Sequence, residues 1–193
     1  VKRLKRQAPK SAAVFVCLLF GCLFWSGCAT TDHGTGPKSA EARLTRDLQR
    51  LSPTIDPEEA HRLATTAIAT SKQLAISYRS VSPAVLHNIL VNTGLRERGF
   101  CYHWRNDLLR ELRKLDLQTV VFHFGTARRG TEREHNCIVV TAHDQPFENG
   151  LVLDPWRYSG NLWWGLVRED KSHPWVLLDP DLIPHEFRVH PRG

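Results

Sequence analysis

No apolar run in the 193-residue sequence reaches the ~20 residues of a membrane-spanning helix; the longest, Ser11–Trp25, has about 15. A polytopic membrane protein is thereby excluded, and a composition of 41% apolar and 24% charged residues excludes long disorder. Phosphate-cradling glycine signatures are missing too, since the sequence contains neither GxxxxGKS/T nor GxGxxG. A charge excess is lacking once it is located. The formal charge is +6, yet Lys2, Arg3, Lys5, Arg6 and Lys10 all precede the first acid, Asp32, leaving 21 of the 26 basic residues to face 20 acidic ones. No basic stripe remains to neutralise a phosphate backbone, so nucleic acid is not an expected partner. Cysteine is scarce: of five, Cys17, Cys22 and Cys28 fall near the start, and only Cys101 and Cys137 lie beyond. One disulfide or two thiols are possible, but not a disulfide framework.

The first 27 residues have the layout of an export signal: a basic start, the apolar run, then the small residues Ser26 and Gly27. Ser26-Gly27-Cys28-Ala29 resembles the lipobox of bacterial lipoproteins, in which the signal is cut before a cysteine that then carries lipid. Trp25 departs from that pattern, where leucine is usual, and Leu19-Phe20-Gly21-Cys22 is a second, poorer match. The resemblance implies lipid on Cys28, a location in the cell envelope facing the periplasm or the outside, and the membrane as a partner. The alternative is an uncleaved anchor or a merely buried cysteine. Residues 28–38 are polar with Gly34, Gly36 and Pro37, as a flexible tether would be.

Residues 39–94 read as a helical scaffold. Leu44, Leu48 and Leu51 form one stripe over Ser39–Leu51. Asp56-Pro57-Glu58-Glu59 opens a second helix, with Asp56 as N-cap, and Leu63, Ala67, Leu74 and Tyr78 fall near one face. Ser82-Pro83 repeats the cap-then-proline device for a third helix to about Thr93, closed by Gly94. Residues 95–193 read as a catalytic region. Cys101, Trp104, Leu108, Leu112 and Leu115 make one helical face that begins at the cysteine, with Arg105 assigned elsewhere. Thr119–Phe124, Glu134–Ala142 and Gly150–Leu153 read as strands, Asn161–Arg168 as a helix and Trp175–Leu178 as an edge strand. The order gives an α+β fold in which the Cys101 helix packs on a small antiparallel sheet.

Three residues stand where chemistry is done. Cys101 opens a helix, where free backbone N–H groups and the helix dipole favour a thiolate. His135 opens a strand and Asp154 ends the next one, so the two side chains can meet across neighbouring strands. Thiolate would attack, imidazole move the proton and carboxylate fix the tautomer. Each has a plainer role as core thiol, incidental histidine or turn residue. With Asp154 as the orienting carboxylate, Asp154→Asn is expected to cost about 1 kcal/mol or less, because asparagine still satisfies the turn before Pro155; a large loss with Cys101 reactivity unchanged would mark a structural turn residue.

Arg98-Gly99-Phe100-Cys101, Glu134-His135-Asn136 and Gly150-Leu-Val-Leu-Asp154-Pro155 resemble the Cys, His and Asp motifs of transglutaminase-like enzymes, which include papain-type peptidases and amidases. The resemblance spans Arg98–Trp156, with 34 residues from Cys101 to His135 and 19 more to Asp154. It implies a cysteine peptidase, amidase or acyltransferase acting on a peptide or amide. Arg-Gly-x-Cys with Leu108, Leu109 and Leu112 also resembles arylamine N-acetyltransferases, but the chain lacks the length for their further domains, and no cofactor is expected. Asn136 and Cys137 follow the histidine where the family usually has a small residue and tryptophan. Asn92 is a candidate oxyanion donor, and Trp156 with the other late tryptophans a candidate cleft lining, although helix end and core are the plainer readings. Cys137 shares a strand face with His135 and is expected as a packed thiol, with a disulfide to Cys101 the alternative. A rival reading makes Cys101, His103, His135 and Cys137 a Cys2His2 zinc site; His103 and His143 otherwise read as surface residues. The other rival is a catalytically silent, membrane-tethered binding or structural module. The protein partner is not specified by the sequence.

Metabolic labelling with a tagged fatty acid is expected to mark the wild type and not Cys28→Ser, because two or more acyl chains on that cysteine give stable anchoring. Label persisting in the variant would move the site to Cys22.

Overall fold

A computed structural model describes residues 37–188 of the chain, the side chains of 37–39 aside. The expected signal, Cys22, Cys28 and most of the tether lie outside the described residues. α1 (Pro37–Gln49) begins inside the last two residues assigned to the tether, and its Leu44 and Leu48 are wholly buried. α2 (Pro57–Ser77) starts as expected: Asp56 Oδ1 accepts from the Glu58 and Glu59 amides, both at 2.9 Å. Its buried stripe includes Ala60, Leu63, Ala64 and Ala67, small enough for α1 to approach closely. The Glu59 carboxylate spans to the Gln118 and Thr119 amides, 2.8 Å each, and so fixes where the first strand begins.

α3 (Ala84–Asn92) departs from the expected scaffold role. Pro83, not Ser82, occupies its N-cap position, with no side-chain cap. A cis peptide joins those two residues. The helix turns Ala84 and His87 inward and leaves Val85, Leu86 and Ile89 exposed, the reverse of a core helix. Gly94, at φ +75°, ends it as expected.

α4 (Cys101–Arg113) buries Trp104, Leu108, Leu109 and Leu112, and also Arg105, which the helical periodicity had placed elsewhere. The sheet is antiparallel throughout, in the order β4-β3-β2-β1-β5. Its strands are β1 (Val120–Ala127), β2 (His135–Ala142), β3 (Leu151–Asp154), β4 (Trp163–Leu166) and β5 (Val176–Leu177). The fold is α+β. Every residue of β2 is buried because both of its faces are covered. Ile138 and Val140 meet the helices on one face; Cys137 and Val139 meet Phe147, Val152, Val167 and Trp175 on the other. The segment Asn161–Arg168, expected as a helix, is β4 and a single helical turn. Pairing with β3 decides this, since four residues are too few to repay helix nucleation and two tryptophans suit a pleated surface.

The approach to Cys101 is held by side chains of α3 and α4. Arg98 is bound by the Asp107 carboxylate at 2.8 Å, and the Arg98 carbonyl accepts from His87 Nε2 at 2.9 Å. The Gly99 carbonyl accepts from the Trp104 indole at 2.9 Å, while the Gly99 and Phe100 amides donate to His103 Nδ1 at 3.1 and 3.3 Å. His103 is therefore a half-buried cap of its own helix and not a surface residue. Gly99 sits at φ +136°, and a Cβ there would lie 2.1 Å from His87 Nε2. Gly99→Ala is expected to destabilise the protein by about 2–4 kcal/mol, through strain and the displaced histidine, read as a lowered melting temperature.

Candidate active site

The three residues singled out in the sequence come from three elements. Cys101 is the first residue of α4, His135 the first of β2 and Asp154 the last of β3. The β2–β3 register pairs Ile138 with Leu153, so one further step sets Asp154 beside Cys137, on the same face as His135. His135 Nε2 and Asp154 Oδ2 are 2.7 Å apart, with the imidazole 3% exposed and the carboxylate wholly buried. Nε2 must be the protonated nitrogen, because an ionised carboxylate only accepts.

Asp154 is held by more than the histidine. Arg157 donates its backbone N–H to Oδ1 at 3.1 Å and its Nε–H to Oδ2 at 2.9 Å. The far end of the guanidinium reaches Asp170 Oδ2 at 2.6 Å, and its plane lies 3.6 Å over the Trp163 ring. Asp170 in turn accepts from the Trp175 indole at 2.9 Å and from Ser172. Trp156, His173 and Trp175 place their rings 4.6, 5.0 and 5.3 Å from that of His135. Trp156, the expected cleft residue, thus touches the site, and its indole donates to Asn88 Oδ1 of α3 at 3.2 Å.

Burial opposes charge on His135, but the Asp154 charge and hydrogen bond, with the Cys101 thiol, outweigh it and push the pKa up to about 9. Burial likewise opposes charge on Asp154, yet His135 and Arg157 hold its pKa below the ordinary carboxylate range. His173 is shifted the other way by burial and by the nearby Arg157 and His135 charges. His135 Nδ1 is buried with no hydrogen-bond partner among the described residues; Cys101 lies close enough to act on the ring without closing a bond of ordinary geometry.

Cys101 is half-buried, with Sγ 4.0 Å from the Glu134 carbonyl and 3.7 Å from Asn136 Nδ2. Cys137 is a separate free thiol, fully buried against Gly125, and burial raises its pKa well above the ordinary value. No disulfide joins the two. Among the described residues no group of three or more His, Cys, Asp or Glu side chains is arranged to hold a metal. His103, one of the four residues of that reading, instead spends its Nδ1 on the helix start.

Asn92 ends α3, is exposed, and has no hydrogen bond to Cys101, His135 or Asp154. The amide beside the thiol belongs to Asn136, which sequence reasoning treated only as a departure from a family pattern. Arg105 was missed although it stands one helical turn after Cys101, the spacing that brings side chains onto one face. Arg157 and Asp170 carried no signal, because their pairing is set by how the segment after β3 folds back.

The buried pair makes stability depend on pH. The contribution from His135 is complete below its ordinary value of 6.5 and fades as pH rises through about 9. That from Asp154 is present above its ordinary value of 3.8 and is lost as pH falls through the lower folded value. Asp154→Asn leaves Arg157 and His135 facing a neutral amide, so the expected cost near pH 7 is about 2–4 kcal/mol, above the roughly 1 kcal/mol expected from the sequence, because the carboxylate is wholly buried between two cationic partners. Melts from pH 5 to 10 are expected to show the gap between wild type and variant narrowing on the alkaline side; a gap under about 1 kcal/mol throughout would show that the buried pair adds nothing to stability.

No family model, curated protein or solved structure matches the chain.

Proposed function

We propose that the chain is a cysteine enzyme that transfers an acyl group from a peptide or amide through a thioester on Cys101, working in the cell envelope from a lipid anchor at Cys28. The observation that carries this reading is the buried His135–Asp154 pair, which keeps His135 protonated while leaving Nδ1 unspent beside a half-buried thiol at a helix N-terminus. The motifs that resemble transglutaminase-like enzymes agree with it.

The proposed steps balance as follows. Cys101 thiolate attacks the carbonyl carbon, forming an S–C bond and moving the carbonyl π pair onto oxygen. When that pair returns, the C–N bond breaks, and the leaving nitrogen takes the proton from His135 Nδ1. Water or an amine then attacks the thioester, gives a proton to Nδ1, and Sγ leaves. Asp154 stays ionised throughout and holds the ring by Nε2. Trp156 and Trp175 keep water from the ring faces.

A second reading has one observation in its favour. The exposed Val85, Leu86 and Ile89 of α3 suit a membrane-tethered recognition module better than a scaffold helix. The two readings differ in thiol chemistry. On mixing the full chain with p-nitrophenyl acetate, the enzyme reading expects a burst of about one p-nitrophenolate per chain and an acetyl adduct on Cys101, absent in Cys101→Ala and lowered about 10²-fold or more in His135→Ala. Labelling of Cys101 no faster than that of buried Cys137 would overturn the enzyme and leave the module.

A further inference from the structure

Asn136 and Arg105 lie between the sheet and the first turn of α4, at 8% and 4% exposure. Arg105 has no carboxylate within ion-pair distance among the described residues; its guanidinium lies 4.6 Å over Phe124 and donates from Nη1 to Asn136 Oδ1 at 2.8 Å. Its Nε–H donates to Asn106 Oδ1 at 3.0 Å. A buried cation without a counter-charge is costly, so both acceptors matter, and Asn136 supplies the shorter one, from the sheet. Arginine only donates, which forces Oδ1 of Asn136 towards it and turns Nδ2 the other way. Nδ2 then faces Glu134 Oε1 at 3.2 Å and Cys101 Sγ at 3.7 Å. The orientation of the amide is fixed from both ends.

We propose that Asn136 Nδ2 donates to the oxyanion of the tetrahedral intermediate and that Arg105 is the positioning residue that orients and polarises this amide. The inference rests on the acyl-transfer reading of Cys101. As Sγ bonds to the carbonyl carbon, negative charge develops on an oxygen one bond further on, within reach of a donor already beside the sulfur. The Arg105 guanidinium, hydrogen-bonded to Oδ1, polarises the amide and makes the opposite N–H a stronger donor. Backbone N–H groups of the first turn of α4 supply further donors. When the C–N bond breaks and the pair returns to the carbonyl, the hydrogen bond weakens again, so the stabilisation belongs to the transition state and not to the bound amide.

The test compares two reactions of Cys101 in the full chain. p-Nitrophenyl acetate forms an S–C bond at a carbonyl, passes through an oxyanion and expels p-nitrophenolate. Iodoacetamide forms an S–C bond at saturated carbon, expels iodide and has no oxyanion. The ratio of acylation to alkylation is expected to fall about 10²-fold in Asn136→Ala and about tenfold in Arg105→Met, with Arg105→Lys restoring part of the loss. A ratio within threefold of wild type in a folded Asn136→Ala overturns the assignment. Where melting shows that this variant does not fold, an unchanged ratio in Arg105→Met overturns it instead. A wild type that alkylates at Cys101 but never acylates defeats the acyl-transfer reading itself, an outcome distinct from either variant result.

Discussion

A carboxylate with no access to water, Asp154, sets the terms for the second half of the chain. Leaving such a charge unpaired would cost several kcal/mol, so cations must be brought to it. Arg157 comes from the adjoining turn and His135 from the neighbouring strand. Arg157, half-buried in the same step, then requires Asp170, and Asp170 is completed by Ser172 and the Trp175 indole. One buried acid thus organises the chain from β3 to the entry of β5, a region otherwise poor in regular structure. The same chain of pairings delivers Trp156, His173 and Trp175 to the histidine ring.

The other half of the site depends on a loop that is over-determined. Between Arg98 and Phe100 two carbonyls, two amides and one guanidinium are all spoken for by His87, Trp104, His103 and Asp107. Tyr78 of the α2 C-terminus also donates to Asp107 and packs edge-on against Trp104, 4.9 Å between centroids. Cys101 is thereby referenced to α2, α3 and α4 at once. α3 has two polar anchors, and both lead to the site: His87 to the Arg98 carbonyl and Asn88 to Trp156.

How much of this was legible follows from what each signal encodes. The order of Cys101, His135 and Asp154, the buried run of β2 and the Asp56 cap are local patterns, and the fold realises them. The fates of Arg105, His103 and β4 are not written in the side-chain period. Arg105 breaks an apolar face, and the Asn136 oxygen across the gap, with that of Asn106 beside it, makes its burial tolerable. His103 reads as a surface residue until the backbone bends at Gly99 and points two amides at it. β4 reads as a helix because four residues carry little period, and the β3 edge decides the matter. For Arg105 the deciding partner lies 31 residues away; for His103 it lies only three and four residues back, where the backbone conformation at Gly99 and not the side-chain period decides.

The choice of ring nitrogen ties topology to chemistry. In the serine triad the carboxylate takes Nδ1 and the nucleophile Nε2; here Asp154 takes Nε2, leaving Nδ1. Nδ1 is the ring nitrogen nearer the backbone, so a nucleophile served by it, the role proposed for Cys101, must stand close to the strand itself. Cys101 does so, with Sγ against the Glu134 carbonyl immediately before β2. The outer nitrogen then reaches past β2 to the end of β3. A helix starting at the mouth of one strand and an acid closing the next are therefore a single arrangement. The residue after the histidine, on the opposite face of β2, is thrown towards α4, and a polar side chain there lies beside the sulfur, as Asn136 does.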